Sequence, residues 1–136
     1  MGTAVRLKIV TPERVVYDDN VDMVVARGTE GELGILYDHM PIVTPLKMSI
    51  LTIKKDKTFY PVAISGGGFL EVQPELITVL ADSAELPEEI DLDRAYAAKR
   101  RAEERLARKD EEGIDEKRAG IALQRALTRI RAAEKN

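Results

Sequence analysis

Along the first 84 residues apolar and polar side chains alternate, and after the joint that follows them the period changes. The segment VRLKIV (Val5 to Val10) carries Val, Leu and Ile at every second position with Arg and Lys between them, as a half-buried strand does. VDMVVAR, SILTIKK, FYPVAIS, GFLEVQ and LITVLAD follow in the same Val-, Ile- and Leu-rich vocabulary. They are separated by the turn-forming stretches TPE, GTEGELG, KDKT, SGGG and QPE. Short strands at this spacing predict an all-β N-terminal domain over residues 1–84, an antiparallel β-sandwich or barrel.

Leu86 to Glu89 form the joint, and beyond it the apolar positions recur at helical spacing. Asp91 is a suitable N-cap, and neither Gly nor Pro interrupts the run to Lys109, which predicts a helix over about 91–109. Gly113 breaks the pattern, and Asp115 can cap a second helix over about 115–133. Gly120 lies inside that helix and costs it roughly 1 kcal/mol relative to Ala. Two amphipathic helices with so short a break predict a C-terminal antiparallel α-helical hairpin over residues 85–136.

At about 100° per residue, Ala95, Ala98, Ala102 and Leu106 share one face of the first helix and form its seam. Ala119, Leu123, Ala126, Leu127 and Ile130 do the same in the second. Arginines line up beside both seams: Arg94, Arg101, Arg105 and Arg108 in the first helix, Arg118, Arg125 and Arg129 in the second. Both rows are displaced in the same rotational sense, so antiparallel pairing puts them on one side of the hairpin. The start of helix one (Arg94, Arg101) then meets the end of helix two (Arg125, Arg129). Crowded guanidinium groups repel unless an anion lies among them, and their planar forks suit phosphate oxygens. Two readings fit this spacing: a solvated basic face partly paired with Glu103, Glu104 and Glu116, or a polyphosphate cleft.

Composition narrows the function classes. The formal net charge is -3, whereas nucleic-acid binders carry a basic excess. Four Tyr, two Phe and no Trp are too few for a base-stacking platform. With no cysteine there is no disulfide, zinc-thiolate site or thiol nucleophile. The N-terminus lacks the pattern of a signal peptide, and no apolar run approaches the ~20 residues that span a bilayer, so no direct membrane insertion is expected.

Several segments, in order over the whole length, resemble one family. GELGILYDHMPIVTPLK (Gly31 to Lys47), ISGGGFLEV (Ile64 to Val72), IDLDRA (Ile90 to Ala95) and LQRALTRI (Leu123 to Ile130) together look like the epsilon subunit of bacterial F-type ATP synthases. The resemblance implies a β-sandwich on the rotating central stalk, touching the gamma subunit and the rotor c-ring at the cytoplasmic face of the cell membrane. It implies a hairpin that folds against the sandwich or extends to the alpha/beta catalytic head, inhibiting ATP hydrolysis when extended. IDLDRA resembles the motif of epsilon subunits that bind ATP as a regulatory ligand. On that likeness Glu85, Ile90 and Asp91 lie near base and ribose, Arg94 helps hold the site together or meets the nucleotide, and Arg101, Arg125 and Arg129 take the phosphates. Any magnesium requirement stays open. The run SGGGF (Ser65 to Phe69) is one glycine longer than the family pattern, so that loop is expected to differ in shape.

The other features are blander. Gly66, Gly67 and Gly68 lack the Lys-Ser/Thr and following helix of a phosphate loop and predict a tight turn or bulge. His39, the only histidine, has no partner set for metal or triad chemistry and suits a loop or interface. The acid pairs Asp18/Asp19 and Glu88/Glu89 read as solvated charge in turns or joints. No residues form a catalytic or metal-binding constellation, so the chain is expected to be non-catalytic by itself. The alternatives are a stand-alone ATP-sensing binding protein and, less in keeping with the charge, a helical-hairpin nucleic-acid binder.

Overall fold

In a computed structural model describing residues 4–135, the six predicted strand segments all form strands and four more join them, ten in all. They are β1 (Val5–Val10), β2 (Val15–Val21), β3 (Met23–Gly28), β4 (Gly31–Ile35), β5 (Ile42–Leu46), β6 (Ser49–Lys55), β7 (Thr58–Ile64), β8 (Gly68–Val72), β9 (Leu76–Ala81) and the two-residue β10 (Ala84–Glu85). Hydrogen bonding runs β10-β7-β6-β3-β5-β8-β9-β1-β2, with β4 also paired to β3. Contacts between β2 and β6 bring the ribbon nearly closed around its core. Leu7, Ile9, Ile35, Leu51, Ile53, Leu70 and Ile77 fill that core, and each is fully buried.

Besides the two-residue β10, three strands escape the alternation rule, and one pairing departs from the antiparallel expectation. β1 runs parallel to β9, from Arg6 beside Leu76 to Val10 beside Leu80. A parallel pair needs a long crossover, and the strands between them supply it. β2 is hidden in the sequence by Asp18, Asp19 and Asn20. Those acids are exposed, as expected, but they are strand residues with cationic partners and do not lie in a turn. Arg6 grips Asp18 with two hydrogen bonds of 2.8 and 2.9 Å, and Lys55 pairs with Asp19. The Arg6 hydrogen bonds hold the Asp18 carboxyl below the usual carboxylate range. β4 is masked by its glycines, and β5 by Pro45, which cannot donate to a ladder.

The glycine run joins β7 to β8 in a close-packed turn. A Cβ on Gly68 would lie 2.3 Å from the Leu80 carbonyl oxygen, and one on Gly66 would lie 2.8 Å from the Asp82 Cβ. Only glycine lets the backbone pass there.

A 3₁₀ turn (Pro87–Glu89) leads into α1 (Leu92–Ala107) and α2 (Glu116–Lys135). Both expected caps form: Asp91 Oδ1 accepts from the Arg94 amide at 3.2 Å and Asp115 Oδ1 from the Arg118 amide at 3.0 Å. Gly113, with φ of 89°, takes a left-handed conformation in the connection. α1 packs on α2, and α2 packs in turn on β7, β6 and the 3₁₀ turn. α2 is therefore buried on two faces. Ala119, Ala126 and Ile130 lie in the predicted seam, while Thr128 and Ala132 are buried on the far side. β7 carries the matching signature, because Pro61, Val62, Ala63 and Ile64 are buried in succession.

Candidate functional site

The hairpin meets the sandwich at a corner built by the end of β7 and by β10. β10 pairs there with Ala63 and Ile64 of β7, and Ser65 follows at once. Ser65 is buried; its amide donates to the Ser83 carbonyl at 3.1 Å, and the two hydroxyls lie 3.1 Å apart. The Ser65 carbonyl is left pointing at α2, where it accepts a 3.0 Å hydrogen bond from Arg125 Nε. One turn further along, Arg129 forms a bidentate pair with Glu85, Nε to Oε1 at 2.7 Å and Nη2 to Oε2 at 3.1 Å. The side chains of Arg129 and Glu85 are 23% and 21% exposed, so water screens this pair only in part. A charge-assisted pair in such a setting contributes about 1–2 kcal/mol.

Of the seven residues singled out in sequence, Glu85 and Arg129 are thus in direct contact, and Arg125 is one helical turn away. Ile90 is half-buried at the end of the joint, and the Asp91 carboxylate is engaged as the cap of α1. Arg94 and Arg101 are exposed on α1. A depression of about 520 Å³ lies between the helices near their connection, lined by Arg105, Lys117, Arg118 and Arg125 with Asp115 as its one acid. Arg125 belongs to both this basin and the corner. The cationic basin therefore reaches nearer the interhelical connection than the Arg94–Arg101 end where helical arithmetic put the cleft.

Two contacts that fix the corner are absent from the sequence reading. Glu89, expected to be solvated, takes both guanidinium nitrogens of Arg14 at 2.9 and 2.7 Å and also accepts from the Leu86 amide at 2.9 Å. The Arg14 hydrogen bond, aided by the Leu86 amide, holds Glu89 below the usual carboxylate range although burial opposes the shift. The joint before IDLDRA is thereby tied to the β1–β2 turn. At the opposite end of α1's first turns, the Tyr96 hydroxyl donates to Glu134 Oε2 at 2.5 Å, clipping the start of α1 to the end of α2. That hydrogen bond, together with burial, pushes the Tyr96 hydroxyl pKa up. No local signal marks Arg14 or Tyr96, whose partners lie 75 and 38 positions away. β7 did carry a signal: PVAIS is a continuous apolar run, as expected of a strand covered on both faces.

Among the described residues no His, Cys, Asp and Glu grouping has metal-site geometry. His39 sits in the 36–41 loop with Nδ1 2.8 Å from the Met40 carbonyl oxygen. Among the described residues no helix is long and apolar enough to cross a membrane. Two exposed apolar patches stand out. One is the outer face of β5, β8 and β9 at Val43, Phe69 and Leu80; the other is the 36–41 loop at Leu36, Tyr37 and Met40.

Comparison with known proteins matches both halves of the chain. Residues 4–87 fit the family model of the β-sandwich domain of the ATP synthase delta/epsilon chain, and residues 88–134 fit that of its long α-helix domain. The ATP synthase epsilon chain of Desulforamulus reducens is 53% identical over 98% of this chain and 100% of its own length. That of Halalkalibacterium halodurans is 49% identical over 93% and 95%. In fold, the chain is similar to a chain in the Euglena gracilis mitochondrial ATP synthase, with a TM-score of 0.78 at 23% identity over 96% of this chain and 81% of that one.

Proposed function

The chain belongs to the ATP synthase delta/epsilon chain family across both of its halves, and from that premise we propose that it is the non-catalytic epsilon subunit of the central stalk. In this role it joins the rotor ring to the catalytic head and restrains ATP hydrolysis through a hairpin that leaves the sandwich. The observation that carries the reading is the docking of α2 through Arg125 on the Ser65 carbonyl and Arg129 on Glu85. These are a handful of polar contacts, and they can be exchanged. α1 adds little, since its fully buried side chains are the two methyls of Ala95 and Ala102, worth roughly 0.8 kcal/mol each. A folded and an extended hairpin can therefore differ by only a few kcal/mol.

ATP shifts that balance only in so far as it binds the folded form better. Arg101, Arg125 and Arg129 are the phosphate partners in this reading, with Arg94, Glu85, Ile90 and Asp91 around the nucleoside. Arg125 reaches both the sandwich and the interhelical basin, and Arg129 lies one turn along the same helix row, so a phosphate they hold reports on docking. The β5–β8–β9 patch supplies the contact for the gamma subunit and the 36–41 loop that for the c-ring, since exposed apolar patches of this kind mark protein interfaces. The alpha/beta head receives the extended hairpin, and the whole sits peripherally at the cytoplasmic face of the membrane. A stand-alone ATP sensor would leave both patches without a use.

The test is hydrolysis by the assembled complex at low ATP, with and without residues after Ala84. Truncation is expected to raise the rate severalfold, and an unchanged rate overturns the inhibitory role. Calorimetric titration of the chain with ATP, beside an Arg101→Ala/Arg125→Ala variant, tests the ligand. Binding by the parent and its loss in the variant is the expected pair of results.

A further inference from the structure

A second groove, of about 370 Å³, opens between α2 and the sandwich, roughly 100° round the helix from Arg125 and Arg129. Gln124, Thr128 and Arg131 of α2 form one wall; Arg27 of β3, Lys47 and Ser49 of the β5–β6 region form the other. Its charge is the reverse of the chain's. Three cations face one carboxylate, Glu32, in a protein of net charge -3. Glu32 reaches only Arg27, at 3.7 Å and with both side chains well exposed. Among the described residues no carboxylate lies within 4 Å of Lys47 or Arg131. Two of the three hydroxyl hydrogens lining the groove are already committed, Thr128 to the Gln124 carbonyl at 2.9 Å and Ser49 to the Lys47 carbonyl at 3.0 Å. The donors left for a ligand are the ammonium of Lys47, the guanidinium groups of Arg27 and Arg131, the amide of Gln124 and the hydroxyl of Thr52.

We propose that this groove binds a small ligand carrying two phosphate groups, which staples α2 to the sandwich. Cations on opposing walls repel until anionic charge lies between them, and one phosphate per wall meets that need. Guanidinium forks favour phosphate over a simple point anion. No aromatic side chain lines the groove, so nothing there stacks a base, and the ligand is read by its phosphates alone. Because the walls belong to different elements, occupancy exists only with the hairpin docked and favours that form. The site is separate from Arg94, Arg101, Arg125 and Arg129.

Inorganic pyrophosphate is the probe, titrated calorimetrically into the full chain. Binding is expected in the parent and in Arg94→Ala/Arg101→Ala, and at least tenfold weaker when Lys47→Ala/Arg131→Ala is added to that variant. Lys47→Ala alone, in the connection between β5 and β6, is expected to weaken binding severalfold without touching either helix. Its circular dichroism melt without ligand should match the parent's, so a folding defect is recognised as such. Sulfate at equal ionic strength is expected to bind at least tenfold more weakly. No binding by the parent at millimolar pyrophosphate overturns the proposal. So does binding by Arg94→Ala/Arg101→Ala that survives the addition of Lys47→Ala/Arg131→Ala, binding that is lost in Arg94→Ala/Arg101→Ala itself, or binding that is matched by sulfate.

Discussion

Glu89 shows how much a single side chain decides here. Its depressed pKa comes first from Arg14, and a group stabilised in its ionised form contributes fully above the ordinary carboxylate pKa. That contribution is lost as pH falls below the ordinary carboxylate range and through the lower folded value. Protection of the Leu86 amide, relative to its intrinsic exchange rate at each pH, is expected to fall over that window, and Glu89→Gln should remove most of that fall. Glu85 acts one step along the same corner. Glu85→Gln keeps the shape but removes the charge that Arg129 grips, and is expected to weaken hairpin docking by about 1–2 kcal/mol, read as faster exchange of α2 amides. At Gly68 the constraint is steric: Gly68→Ala drives a methyl into the Leu80 carbonyl and is expected to destabilise the sandwich by about 3 kcal/mol in chemical denaturation.

Among the elements, α2 is the hinge of the design. It is buried on one face against α1 and on another against β7 and β6, whereas α1 relies on α2. Gly120 is the weak point of α2, yet a Cβ there meets nothing within 4 Å and its φ is ordinary. Gly120→Ala is accordingly expected to strengthen the helix by about 0.5–1 kcal/mol, measurable as a raised melting temperature of the isolated chain. If docking controls hydrolysis, that variant changes the stability of α2 without altering any arginine, so its effect on rate separates helix stability from ligand contacts.

For the whole molecule, the arrangement is a rigid sandwich with a helical appendage held at one corner and two apolar patches left bare. Burying Phe69 and Leu80 against a partner is favourable, and charging them is not. Phe69→Asp with Leu80→Lys is expected to abolish co-purification with the gamma subunit while leaving ATP binding by the free chain unchanged. Loss of both would mean the sandwich itself had failed, which its melting curve would show.

Several features were legible from residue order alone because they are local. The period-two strands β1, β6, β8 and β9, the caps Asp91 and Asp115, the alanine seam and the change of grammar at the joint all depend on neighbours within a turn or a strand. The alignment of Arg125 and Arg129 was also visible, since both lie in one helix. Their partners were not: Ser65 and Glu85 are 60 and 44 positions away, and only the sheet's closure sets them side by side. The same is true of the parallel β1–β9 pair, of Arg14 on Glu89, and of the cations around the second groove. Helical and strand periods fix which side chains share a face. Which two faces meet is decided by how the sandwich closes and where α2 comes to rest on it, because contacts distant in sequence form only in the packed molecule.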